Sequence, residues 1–275
     1  MGISVLMSVY AKENPAYFKK ALESIINQTL QPDEILLIKD GALTKELEAV
    51  ITEVTEQISE NGSKIVFRTH AFEENVKLGR ALRKGVELCE HEFVARMDTD
   101  DIACSDRLKK QYDYMVEHET VTALGGYMEE FCDDESFTRV KTIPIDAQSI
   151  RRYAKYRNPL NHMTVMFRRR AILEVGNYRH YPFLEDYDLW GRLLAAGYQI
   201  ENLPEVLARA RVGNELYGRR GGWEYCKKYL SLRLEQKKLG LTNWLEYLLA
   251  CTITIGVTVI PSRVRKEVYQ KILRK

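Results

Sequence analysis

The chain opens on an unbroken apolar run, Ile3-Ser4-Val5-Leu6-Met7-Ser8-Val9, whose length and β-branched content predict a buried strand. Asn14-Pro15 supplies a helix cap with proline at the first helical position. Phe18, Ala21, Leu22, Ile25 and Ile26 then fall on one helical stripe. Glu34–Lys39 predicts a second strand, stopped by Asp40-Gly41. Thr44 is placed to cap a second helix with Leu47, Val50, Ile51, Val54 and Ile58 facing inward. Lys64–Arg68 predicts a third strand, and Leu78, Ala81, Leu82 and Val86 a third helix. Glu92–Met97 predicts a fourth strand, which runs into Asp98-Thr99-Asp100-Asp101. Strands this apolar, alternating with helices, imply an α/β fold with a mostly parallel sheet covered by helices.

The second half is less regular. Val121–Met128 and Met163–Arg168 read as strands, and a helix is expected to start near Asp106. Asp186 opens a stripe continued by Leu189, Trp190, Leu193 and Leu194. From Trp223 the pattern is helical, with Tyr225, Tyr229, Leu232 and Leu239 apolar. The expected organisation is one domain over 1–222, in two halves, 1–101 and 102–222. A helical extension follows over 223–275.

Parallel sheets bind ligands beyond the carboxyl ends of their strands. Three polar clusters fall there: Ser8–Asn14, Asp40-Gly41 and Asp98–Asp101. Two carboxylates at alternate positions, Asp98 and Asp100, are hard oxygen ligands suited to Mg²⁺ or Mn²⁺. The same residues also suit a solvated acidic loop. Glu185-Asp186 fits either a helix cap or a general base. Asp40 fits a turn, or an acceptor of a hydrogen bond from a base or ribose. His162 taken alone reads as a structural histidine. Arg219-Arg220-Gly221-Gly222 reads as an anion-binding loop or a solvated turn.

Composition narrows the classes. The 275 residues carry 41 basic and 39 acidic side chains, a net charge of +2, which argues against nucleic acid as the main partner. Six of the basic residues crowd into 262–275 against Glu267 alone. Five scattered cysteines contain no C-x-x-C pair, so neither a zinc site nor a redox dithiol is indicated, and reduced thiols in the cytosol are expected. Met1-Gly2-Ile3-Ser4 has no basic n-region, and no secretory signal is expected. Tyr247–Ile260, uncharged over 14 residues, is too short to span a bilayer. No G-x-G-x-x-G follows the first strand, and neither a P-loop nor a G-x-S-x-G elbow is present.

The ordered set Ser4–Tyr10, Lys39-Asp40-Gly41, Arg96–Asp101 and Leu184-Glu185-Asp186-Tyr187-Asp188-Leu189-Trp190 resembles the family-2 inverting glycosyltransferases of the GT-A fold. Asn161–Phe167 and Arg219–Gly222 narrow the likeness to the bacterial capsule and exopolysaccharide type, as in amylovoran biosynthesis. The resemblance covers residues 3 to about 222, and the helical tail more loosely. It implies a UDP-sugar donor and a divalent metal. Ser8, Val9, Tyr10 and Asp40 match the segments that hold uridine, and Asp98-Thr99-Asp100 the motif that holds ribose and metal. Asp186 matches the catalytic base. Lys77 or Arg96 is a candidate for the diphosphate. Glu185, His162, Arg219 and Arg220 are candidates for the acceptor side. The family often has two acidic residues where this chain has Lys39-Asp40, which leaves a single carboxylate for the base contact. The implied acceptor is a saccharide, lipid-linked in the main reading, met at the cytoplasmic face of the membrane. The C-terminal stretch and its basic tail would touch that surface, or form a homodimer interface. A sugar-phosphate nucleotidyltransferase is a weaker reading, because Val9–Asn14 lacks a glycine-rich phosphate loop. The other alternative is a non-catalytic sugar-nucleotide-binding subunit of a polysaccharide assembly complex.

Overall fold

The protein is described by a computed structural model over residues 2–132, 137–212 and 222–259. The first half follows the expected alternation: β1 (Ile3–Val9), α1 (Pro15–Ile26), β2 (Glu34–Lys39), α2 (Lys45–Glu60), β3 (Val66–Ala71), α3 (Leu78–Leu88) and β4 (Phe93–Met97). The caps are those expected. The Asn14 side chain accepts from the N–H groups of Ala16 and Tyr17, and the Thr44 hydroxyl from that of Leu47. β3 is shifted towards Ala71 relative to the expected Lys64–Arg68, and its residues are half-buried or exposed, as suits a strand at the sheet edge.

The four strands run in parallel in the order β3-β2-β1-β4. Strand alternation then splits the core in two. Val5, Met7 and Val9 face α1 and α2, packing with Phe18, Leu22, Leu47 and Val54. Leu6, Leu36 and Ile38 face α3 and pack with Ala81, Leu82 and Val86. β1 has β2 on one side and β4 on the other, so the strand order reverses there. The carboxyl ends of these three strands meet at that switch point, where open α/β sheets bind ligands.

The second half is where the hydrophobic pattern misleads. It comprises β5 (Ile102–Ala103), α4 (Arg107–Glu117), β6 (Val121–Phe131), β7 (Thr138–Lys141), α5 (Ala147–Tyr153), β8 (Met166–Arg168), α6 (Arg169–Glu174), α7 (Glu185–Ala195), β9 (Gln199–Arg211), α8 (Trp223–Lys238) and α9 (Trp244–Val259). β5, β7, β9, α5 and α6 have no counterpart among the predicted elements. The expected strand Met163–Arg168 keeps only its last three residues, because His162–Thr164 form a 3-10 turn. β9 was obscured by Pro204. The register steps from Gly126↔Leu203 to Tyr127↔Val206, so Pro204 and Glu205 bulge out of the ladder where proline is tolerated. β8 joins β4 and β6 antiparallel, and β9 lies parallel to β6. The parallel character therefore belongs to the first four strands, and the second half of the sheet is mixed.

Candidate functional site

The carboxyl ends of β1, β2 and β4 open into a cleft of about 810 Å³. Ser8, Tyr10, Asp40, Lys77, Asp98, Thr99, Asp100 and Glu185 all line it. Residues from five separate stretches of sequence are thus brought together. Val9 is not: its side chain is in the core, and only its carbonyl reaches the rim, accepting the Asp40 N–H at 2.8 Å.

Asp40 is nearly buried, and its Oδ1 accepts the Val76 N–H at 2.6 Å. Burial raises its carboxyl above the ordinary range, while the N–H groups of Val76 and Lys77 oppose that shift. Its own carbonyl accepts from Asn75 at 3.2 Å. Asp40 therefore ties the end of β2 to the loop before α3. Lys77, the last residue of that loop, sits at φ +74°, a conformation that costs a side-chain-bearing residue about 1–3 kcal/mol and persists where surrounding structure imposes it. Lys39 points elsewhere and pairs with Glu48 on α2 at 2.7 Å, so it takes no part in the cleft.

At the end of β4, carboxylate oxygens of Asp98, Asp100 and Asp101 lie within 4.8 Å of one another. Asp101 extends the pair expected from strand alternation to three, because the chain leaves extended geometry after Met97. Arg96, almost fully buried, forms a two-pronged ion pair with Asp98. Asp101 accepts the Arg211 N–H at 2.9 Å. Burial and the charges of Asp98 and Glu13 push the Asp100 carboxyl up to about 7, and burial pushes Asp101 well above its usual range. Burial, then neighbouring carboxylate charge, raise both Asp100 and Asp101, and a cluster of hard oxygen donors of this kind fits a divalent cation. Thr99 is buried beneath the motif and donates to Glu13 at 2.8 Å, joining it to the loop after β1.

Glu185 and Asp186 begin α7, and Glu185 lines the same cleft. Glu185 is 7% exposed, and its Oε2 has no hydrogen-bond partner among the described residues. Burial, then the neighbouring Asp186 charge, push its carboxyl up to about 7. Asp186 is half-buried behind the cleft wall. Its oxygens accept from Asn158 Nδ2 at 2.5 Å and from the Tyr187 N–H at 2.7 Å. Burial raises its carboxyl too, but these donors favour the ionised form. Neither residue caps α7, since Leu184 holds that position without a side-chain bond. His162 lies beside the Tyr178 hydroxyl at 2.8 Å and edge-on to Trp190; burial and the Arg96 charge hold it well below its ordinary pKa, hence neutral. It does not line the cleft. Arg219 and Arg220 lie outside the described residues.

Sequence reasoning left out Asp101, Glu13 and Asn158. Asp101 stood in the motif and was set aside by the alternation argument. Asn158 carried no signal, because only the fold brings it to Asp186.

Comparison with known proteins gives the family. Residues 4–176 match the family model described as Glycosyl transferase family 2. The chain is 38% identical over 271 residues to the amylovoran biosynthesis glycosyltransferase AmsE of Erwinia amylovora, covering 98% of each chain. It is 32% identical over 275 residues to a UDP-Gal:alpha-D-GlcNAc-diphosphoundecaprenol beta-1,3-galactosyltransferase of Escherichia coli, covering 99% of this chain and 96% of that one. Among solved structures, S. aureus TarS 1-349 in complex with UDP-GlcNAc matches with a TM-score of 0.68 at 16% identity, over 99% of this chain and 76% of that chain. The mannosyltransferase PcManGT from Pyrobaculum calidifontis, in complex with GDP-Man and Mn²⁺, matches with a TM-score of 0.60 at 13% identity, over 98% and 79%. At such identities the structures speak for the GT-A fold alone.

Proposed function

Because the chain belongs to glycosyl transferase family 2 and is a glycosyltransferase, we propose that it moves a sugar from a UDP-sugar to a saccharide acceptor, with inversion, in the assembly of a bacterial surface polysaccharide. One observation carries the reading: residues after β1, β2 and β4 and at the start of α7 line a single cleft at the sheet's switch point.

Ser8, Tyr10 and Asp40 form the end that would receive the uridine. Asp98, Asp100 and Asp101 would hold a divalent metal, Mn²⁺ or Mg²⁺, which when bound supplies charge to a leaving diphosphate. Lys77 stands on the same wall as a second cation. Arg96 is committed to Asp98 and so orients the acidic motif. Asp186 takes the proton of the acceptor hydroxyl as that oxygen bonds to the anomeric carbon. The bond from that carbon to the diphosphate breaks, and UDP leaves with the electron pair. A single displacement of this kind needs one base and no protein nucleophile, and it inverts the centre. The test is a panel of UDP-sugars assayed for slow hydrolysis without acceptor, with and without Mn²⁺. Metal-dependent turnover of one donor is expected, and no UDP-sugar bound or turned over would sink the proposal.

The acceptor is proposed to be lipid-linked, as the E. coli relative's name states for that protein. No helix among the described residues is long and apolar enough to cross a membrane. α9 nevertheless turns an apolar surface to solvent: Trp244, Leu245, Leu248, Leu249, Ile253 and Ile255 are all exposed, Leu245 to 78%. In sequence the basic stretch 262–275 follows at once. An apolar face beside a basic segment suits the interface of an anionic bilayer. Full-length protein should therefore sediment with anionic vesicles, more weakly as salt rises. A form ending at 243 should stay in solution while still binding UDP. Equal sedimentation of both forms would refute the membrane contact.

A further inference from the structure

The wall of the cleft formed by His180, Tyr181, Pro182, Phe183 and Glu185 contains a residue that neither the core nor the proton transfer explains. Phe183 exposes 60% of its surface, though the residues that follow it turn inward: Leu184 and Tyr187 pack on Leu232. Its backbone stands at φ +72°, the left-handed region that a bulky side chain rarely adopts. Such strain survives where neighbouring contacts impose it. Here the Leu184 N–H bonds to the Tyr181 carbonyl at 2.8 Å, and α7 begins immediately after. The turn therefore holds the ring out into the cleft, three residues before Asp186. Lys228 on α8 brings its Nζ to 5.3 Å from the ring centroid. Tyr225, at a centroid distance of 6.4 Å, backs the ring from the same helix.

An exposed aromatic ring offers a flat apolar surface with a negative face, which complements the polarised C–H face of a pyranose. A neighbouring ammonium suits an anion, and a diphosphate most of all. We infer that Phe183 is the stacking platform for the acceptor's reacting sugar, and that Lys228 meets an anionic diphosphate next to that sugar. The inference rests on the glycosyltransferase reading above and adds the acceptor subsite to it. The donor's uridine end is assigned to Ser8, Tyr10 and Asp40, other residues lining the same cleft. Phe183 thus selects for the acceptor, and a sugar diphosphate is preferred over the same sugar as a neutral glycoside.

The experiment is steady-state transfer from the UDP-sugar identified by hydrolysis to a panel of α-linked hexose and N-acetylhexosamine diphosphate lipids, each beside its methyl glycoside. Phe183→Ala is expected to raise the acceptor KM about tenfold, an effect of the size of one aromatic contact, with donor KM moved by less than about twofold. Phe183→Trp should restore the acceptor KM. Lys228→Gln should raise KM for the diphosphate lipid and not for the glycoside. Equal rises in donor and acceptor KM, an unchanged acceptor KM in Phe183→Ala, or no rescue by tryptophan would each overturn the platform. Wild-type hydrolysis of the donor with no transfer to any sugar diphosphate overturns the acceptor class. Absence of donor hydrolysis in the wild type would instead be a failure of the glycosyltransferase chemistry itself.

Discussion

Asp100→Ala is expected to abolish the metal dependence of UDP binding. Asp98, Asp100 and Asp101 place oxygens within 4.8 Å of one another, and the buried Arg96 guanidinium pairs with Asp98. A divalent ion polarising a diphosphate is worth several kcal/mol, so its loss should weaken UDP by about 10²–10³-fold. Calorimetric titration of UDP, with Mn²⁺ and then with a chelator, reads this directly. In the wild type the chelator should reproduce the variant's weak affinity, and in the variant it should change nothing further. Tight wild-type binding that ignores the chelator would remove the metal from the account. Asp98→Ala is the poorer test. It would strand the buried Arg96 charge without a partner, which typically costs about 3–5 kcal/mol and threatens the fold itself.

The legibility of this site in the sequence follows from strand physics. β1, β2 and β4 are apolar on both faces because helices cover both, so they stand out as runs, and the polar residues that end them mark the ligand edge. Ser8, Asp40 and Asp98 could therefore be placed from pattern alone. The second half offered no such punctuation. β9 carries a proline in a bulge, β5 and β7 are short, and α5 and α6 are single or double turns whose periodicity is too brief to read. Long-range pairing was invisible for the same reason. Asn158 reaches Asp186 across 28 residues, and Arg211 reaches Asp101 across 110. Nothing local announces a hydrogen bond that only the completed fold creates. The exposure of Phe183 was equally hidden, since its sequence neighbours are those of a core helix start.

The two adjacent carboxylates at the start of α7 make the base assignment testable rather than ambiguous. Burial raises both, but their surroundings then diverge. Asp186 accepts hydrogen bonds from Asn158 and the Tyr187 N–H, while Glu185 Oε2 accepts none among the described residues. Burial, then the Asp186 charge, push Glu185 up to about 7, while burial raises Asp186 against the pull of its two hydrogen-bond donors. The proposed base is Asp186, whose carboxylate is held by both donors, and Glu185 is the neighbouring carboxyl that lines the cleft. Asp186→Asn preserves shape and removes only proton acceptance. Positioned bases contribute about 10²–10⁴-fold, so transfer should fall by about 3–5 kcal/mol of barrier. UDP affinity should stay near wild type. Glu185→Gln still has an N–H to donate and should cost about tenfold or less. The pH profile separates the roles further. A base must lose its proton to act, so wild-type kcat falls as pH drops through the Asp186 pKa. That acid limb should vanish in Asp186→Asn, whose residual rate is expected to be flat there. Removing the Asp186 charge also removes one of the causes that raise Glu185, so any titration of Glu185 should move to lower pH in that variant. A nearly active Asp186→Asn beside a dead Glu185→Gln would transfer the base to Glu185, the residue that faces the cleft.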